Sequence, residues 1–104
     1  MTMIYVIASS ELEEGKKDEF LAIVRENVPK VLAEDGCIMY VPNVDFDSGL
    51  SAQKSVRANV VTFIEGWASM KHLKAHLESA HMNEFRKKVA GMRKSSTLNV
   101  VTPG

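Results

Sequence analysis

Apolar residues fall along this chain in two rhythms. Met3, Ile4, Tyr5, Val6, Ile7 and Ala8 form a short run rich in β-branched and aromatic side chains, which predicts a first strand over 3–8. Ser9 to Glu14 reads as a turn, and Gly15 marks the entry to a helix. The rhythm then changes. Phe20, Ile23, Val24, Val28, Val31 and Leu32 recur at spacings of three and four, one apolar face at helical period, with Glu19, Arg25, Glu26 and Lys30 on the other side. Pro29 lies inside that pattern; it lacks a backbone donor and predicts a kink, or a restart near Asn27 or Val28. Gly36 is expected to close the helix as a left-handed cap. Cys37 to Val41 reads as a second strand, which Pro42 ends or places at an edge. Asn43 to Arg57 is a polar connection with a turn signal at Asp47-Ser48-Gly49. Ala58 to Trp67 is a third strand. Ser69 is placed to cap a helix running to about Ser79. A further helical piece has Met82, Phe85, Val89 and Met92 in register, and Thr97 to Thr102 is a fourth strand.

The order is β-α-β-β-α-β, the split βαβ pattern of an α+β, ferredoxin-like domain, and it predicts one domain over residues 1–104 with a four-stranded antiparallel sheet. Both helical regions belong on one face of that sheet. A sheet with one wet face should alternate apolar and polar residues. Met3 to Ile7 are apolar on both faces, as are Val60, Val61, Phe63 and Ile64. The helices cover only one side, so the other must meet something apolar, and a second copy of the same sheet is the simplest candidate. The expectation is a homodimer packed sheet to sheet.

Composition narrows the functions. The 104 residues include 13 basic and 13 acidic side chains, a formal net charge of zero, which offers no electrostatic footprint for nucleic acid or an anionic membrane. No apolar run approaches the roughly 20 residues of a membrane helix, and the first residues lack the pattern of a signal peptide. The lone Cys37 cannot form an intrachain disulfide, and a cytoplasmic location is expected. No glycine-rich phosphate loop, nucleophile elbow or cysteine cluster is present.

Candidate chemistry concentrates between Glu65 and Met82, where the only tryptophan and all three histidines lie. At about 100° per residue, Met70, Leu73, Leu77 and Ala80 form an apolar arc facing the sheet. His76 falls beside that arc, half covered at the helix–sheet boundary, and His72 lies one step further out. A histidine so placed titrates near neutrality and can exchange a proton with a bound molecule; a plain hydrogen bond to a backbone carbonyl is the other reading. His72 and His76 have a zinc-compatible spacing, but no acidic residue of the metalloprotease type lies between them and only His81 offers a third ligand, so no metal is expected. Glu65 and Trp67 share one side of their strand and are suited to a pocket floor.

Three segments resemble the antibiotic biosynthesis monooxygenase domain family, small dimeric α+β barrel proteins that include quinol monooxygenases. They are Ala33-Glu34-Asp35-Gly36-Cys37-Ile38-Met39-Tyr40, Glu65-Gly66-Trp67, and the stretch from Ala75-His76 through His81-Met82 to Phe85. The resemblance implies oxygenation of a small electron-rich aromatic, a phenol or quinol, by molecular oxygen (O2), without metal, flavin or other cofactor. It implies His76 for proton transfer and Trp67 for stacking on the ring, the catalytic candidates. Glu65 and His81 match motif positions as supports of the pocket; with His72, an extra histidine outside the pattern, they complete the substrate-binding candidates. The haem-degrading branch carries an asparagine on strand one that is missing between Met3 and Ser10, and the connection between strands two and three is longer than usual for the family. Isomerase or aldolase-type chemistry on a small oxygenated metabolite, or binding without catalysis, stays open from the sequence.

Overall fold

The computed structural model describes residues 2–104. The elements are β1 (Ile4–Leu12), α1 (Lys17–Leu32), β2 (Cys37–Val44), β3 (Val60–Trp67), α2 (Met70–Leu77), α3 (Ala80–Lys88) and β4 (Arg93–Val101). The strands form one antiparallel sheet in the order β2-β3-β1-β4. This is the expected α+β, ferredoxin-like sheet, with the second helical region in two pieces.

Three of the strands run further than the apolar runs predict, while β3 starts at Val60 rather than Ala58. Ser9 to Leu12 are not a turn; they pair with β3 and β4. The alternation persists there, with Ser10 and Leu12 buried and Glu11 exposed, but the inward serine hides it. β4 begins at Arg93 rather than Thr97 and is exposed throughout, so burial leaves no imprint on its sequence. β2 continues through Pro42 to Val44, and it is an edge strand, where a proline is tolerated.

Helix α1 passes through Pro29 without a restart. Pro29 is exposed, as is Arg25, whose carbonyl loses its helical donor, so water can serve it. The buried face is Phe20, Leu21, Val24, Asn27 and Val31; Leu32, expected inside, is half exposed. Gly36 is left-handed at φ +76°, but it lies in the turn beyond the Ala33 cap, not at the cap itself.

Phe20 sits at the middle of the core, edge-on to Phe63 at 6.3 Å and to Phe85 at 6.1 Å. Val6, Val61 and Trp67 come up from the sheet to meet Val24, Val31, Leu73 and Val89. Val61 and Phe63 therefore face the helices. The opposite face carries Val41, Ile64 and Ile7, directly paired across three neighbouring strands and 39–45% exposed. The β2–β3 connection is pinned at its ends, where Arg57 donates to both Asp45 oxygens at 2.8 Å. The Arg57 side chain holds the Asp45 carboxyl down to about 2.

Candidate active site

The site is assembled where β3 ends. Glu65 and Trp67 alternate onto the helix side, as expected, and the Trp67 indole donates to Glu65 Oε1 at 3.0 Å. Two residues later Ser69 caps α2, its side chain accepting from the His72 amide. Ser69, Leu73 and His76 stand four and three residues apart, a helical face, and all three are buried. The inward arc is thus turned from the one expected: Met70 and Leu77 lie at the surface, and His76 is not half covered but 1% exposed. Its ring lies 4.6 Å from Trp67 and 5.7 Å from Tyr40, centroid to centroid.

His76 is held by a residue that the sequence reading did not place in the site. Its Nδ1 is 2.7 Å from Glu34 Oε2, and His81 Nε2 is 2.8 Å from the same oxygen. Both imidazoles donate, and one carboxylate oxygen gathers two helices and the turn after α1. Nothing periodic marks Glu34. The available signal is its place in the Ala33–Tyr40 segment that carries the family resemblance. The helix break between the two histidines is built by Ser79, whose hydroxyl donates to the His76 carbonyl at 2.8 Å and accepts from the Met82 amide at 3.3 Å.

His72 is elsewhere. Its Nδ1 contacts Ser69 Oγ at 2.7 Å, its Nε2 is 3.4 Å from Asp35, and its ring lies over Gly36. It does not join His76 and His81. The donor set that does converge, Glu34, His76 and His81, has its ligand atoms within 4.8 Å of one another. In this structure those atoms are engaged with each other as hydrogen bonds.

The electrostatics favour neutral groups. Burial pushes the His76 imidazole below its ordinary range, against the opposing pull of Glu34. Glu65 is raised chiefly by burial, with the indole N–H pulling the other way and the Glu34 charge adding to the rise. Burial likewise raises Tyr40 and the Cys37 thiol. A proton on Nδ1 directed at Glu34 leaves Nε2 as the lone-pair nitrogen of a neutral ring. Among the described residues Nε2 has no protein partner, yet no unpartnered side-chain nitrogen is fully enclosed, so Nε2 is open. His76 lines a cavity of about 210 Å³ between the sheet and α2–α3, together with Tyr40, Phe63, Glu65, Met82 and Phe85 among others. Trp67 does not line it; it backs the His76 ring.

The sequence profile of the antibiotic biosynthesis monooxygenase family matches residues 3–88. The chain belongs to that family. Its class is accordingly that of a monooxygenase, an oxidoreductase. A similar protein is "Probable quinol monooxygenase YgiN" of Escherichia coli strain K12, 35% identical over 108 residues, covering 98% of this chain and 99% of that one. Among solved structures, a conserved protein from Methanosarcina mazei Go1 superposes with a TM-score of 0.83 at 22% identity, covering 100% of this chain and 95% of that one. Protein SO0527 from Shewanella oneidensis gives 0.83 at 22% identity, with 98% and 91% covered. These two show the shared fold. The family profile ends at 88, the last residue of α3, so Arg93–Val101 completes the sheet beyond it. No helix among the described residues is long and apolar enough to cross a membrane.

Proposed function

We propose that this protein is a cofactor-independent monooxygenase acting on a small electron-rich aromatic, a phenol or quinol. One observation carries the reading: a buried histidine, fixed by Glu34 through Nδ1 and without a protein partner at Nε2 among the described residues, lines an aromatic-walled cavity. The name of the E. coli relative, a quinol monooxygenase, supports the quinol class.

His76 takes the hydroxyl proton of the bound ring at Nε2, and the imidazolium so formed is stabilised by Glu34 behind it. The electron-rich anion then reduces oxygen directly. For a quinol the balance closes without an external reductant: quinol plus O2 gives a hydroxyquinone plus water, one oxygen atom entering the ring and the other leaving in water. All four electrons come from the substrate. Apolar walls keep water from the anion and from reduced oxygen. Trp67 braces the His76 ring from behind instead of stacking on the substrate, Glu65 anchors the indole, and His81 shares the load on Glu34. His72 has a supporting role at the Gly36 turn and no contact with substrate.

The same reading takes residues 1–104 as one such domain in the cytoplasm. It takes the Val41–Ile64–Ile7 face as the surface where two copies meet, because a row of half-exposed aliphatic residues on three adjacent strands is costly to leave in water. Oxygen uptake across a panel of quinols and phenols, with product mass, tests the activity. Uptake with one added oxygen atom per ring supports it. Isomerised product without uptake, or tight binding without turnover, would replace it with one of the two alternatives left open by the sequence.

A further inference from the structure

The cavity beside His76 has a polarity that oxidation of a neutral ring does not use. Two arginines, Arg86 and Arg93, line it together with Tyr40, Phe63 and Phe85. Among the described residues neither arginine is paired with a carboxylate. The carboxyl group inside the same cavity, Glu65, is buried against the Trp67 indole and is not their counter-ion. Arg86 is held in place: it donates to the Leu77 carbonyl at 2.6 Å and to Asn83 Oδ1 at 2.9 Å. Those bonds use two of five guanidinium N–H groups and leave the others free. Arg93 reaches the cavity from the first residue of β4, so the cations arrive from different elements. Both are exposed, which puts them at the mouth, while the aromatic wall is buried.

A guanidinium fixed before binding recognises a planar carboxylate in two parallel bonds and loses little freedom in doing so. The volume of about 210 Å³ suits a ligand of one ring or two fused rings.

We infer that the substrate of this site is an acidic aromatic, whose ring lies against Tyr40 and Phe85 and whose carboxylate, or equivalent anionic oxygen group, is received at the mouth by Arg86 and Arg93. This deepens the oxygenase reading and rests on it for the reaction alone; the binding claim stands apart from turnover.

The test therefore reads binding and turnover separately. Binding is read by isothermal titration calorimetry. 2-Naphthoate and its neutral amide are titrated into the wild-type protein and into Arg86→Gln, Arg93→Gln and the double variant. The acid should bind roughly tenfold or more tighter than the amide, and the double variant should lose most of that ratio while its affinity for the amide stays within about twofold. Raising ionic strength should shrink the ratio. Equal affinity for acid and amide in the wild type, or an unchanged ratio in the folded double variant, overturns the inference. Because Arg86 also ties α2 to α3, Arg93→Gln gives an arm free of that tie. Oxygen uptake with hydroquinone and with 2,5-dihydroxybenzoate completes the comparison. A binding preference without any uptake supports the acidic ligand and removes the oxygenase reading. Uptake with hydroquinone and no preference between the probes removes the acidic ligand and keeps the oxygenase.

Discussion

Replacing His76 separates its two jobs, and the structure supplies the magnitudes. In His76→Ala the buried ring leaves its contacts with Trp67 and Tyr40. An aromatic contact of this kind is worth about 0.5–1.5 kcal/mol. Glu34 also loses one of its two imidazole donors. A hydrogen bond to a charged group contributes about 1.5–3 kcal/mol. Together these give roughly 3 kcal/mol, and at about 4–8 °C per kcal/mol for a domain of this size the melting temperature should fall by roughly 12–24 °C. Turnover should fall by about 10²–10⁴-fold, but in so weakened a protein that loss says little about a base. His76→Asn is the sharper variant. Its amide nitrogen can occupy the place of Nδ1 and donate to Glu34, while nothing replaces Nε2. It should recover a good part of the lost stability and none of the activity. Thermal melts and oxygen uptake on the three proteins decide the matter. Full turnover in a folded His76→Asn protein would refute His76 as the base. A His76→Ala protein that melts with the wild type would refute the buried anchor.

Glu34→Gln should move the acid limb of activity to lower pH, since the carboxylate opposes the downward shift that burial imposes on His76; a pH–rate profile that stays in place would contradict a positioning role. The same group sets a stability trend. A folded imidazole pKa below the unfolded value of about 6.5 gives stability that is complete above that pH and is lost as the pH falls through the folded pKa, which urea denaturation across that window should show. Gly36→Ala should cost clearly more than Gly15→Ala. Both glycines are left-handed, a strain of about 1–2 kcal/mol for alanine, but a Cβ at Gly36 would lie 2.3 Å from the His72 ring and one at Gly15 meets nothing. Ile64→Asp should give a folded monomer by sedimentation, whereas Val61→Asp, aimed into the core, should unfold the chain; a dimeric Ile64→Asp protein would move the interface off this face.

Much of the fold was legible because its signals are local. The β-branched runs at Ile4 and Val60 and the Phe20–Val31 face each state their own period. What misled was polarity in the wrong place. Ser10 points inward and β4 is exposed along its whole length, so neither carries a strand's usual mark. In the site, the Glu65–Trp67 pair followed from alternation alone. The depth of His76 did not, because the inward arc of an eight-residue helix depends on how its Ser69 cap sets it against the sheet. Glu34 lies 42 residues from His76 and 47 from His81, and a pairing at that distance has no signature in a pattern of hydrophobic positions.

The break at Ser79 has a consequence for how this architecture can change. Residues five apart in an uninterrupted helix point about 140° away from one another, so His76 and His81 could not share an oxygen if α2 simply continued into α3. Their convergence is a property of the joint between the helices. Losing or gaining one residue there would swing His81 by about 100° around the helix axis and unhook it from Glu34, although every residue touching the ligand would still be present. Substitutions can tune this pocket one side chain at a time; a change of length at the hinge dismantles it in a single step.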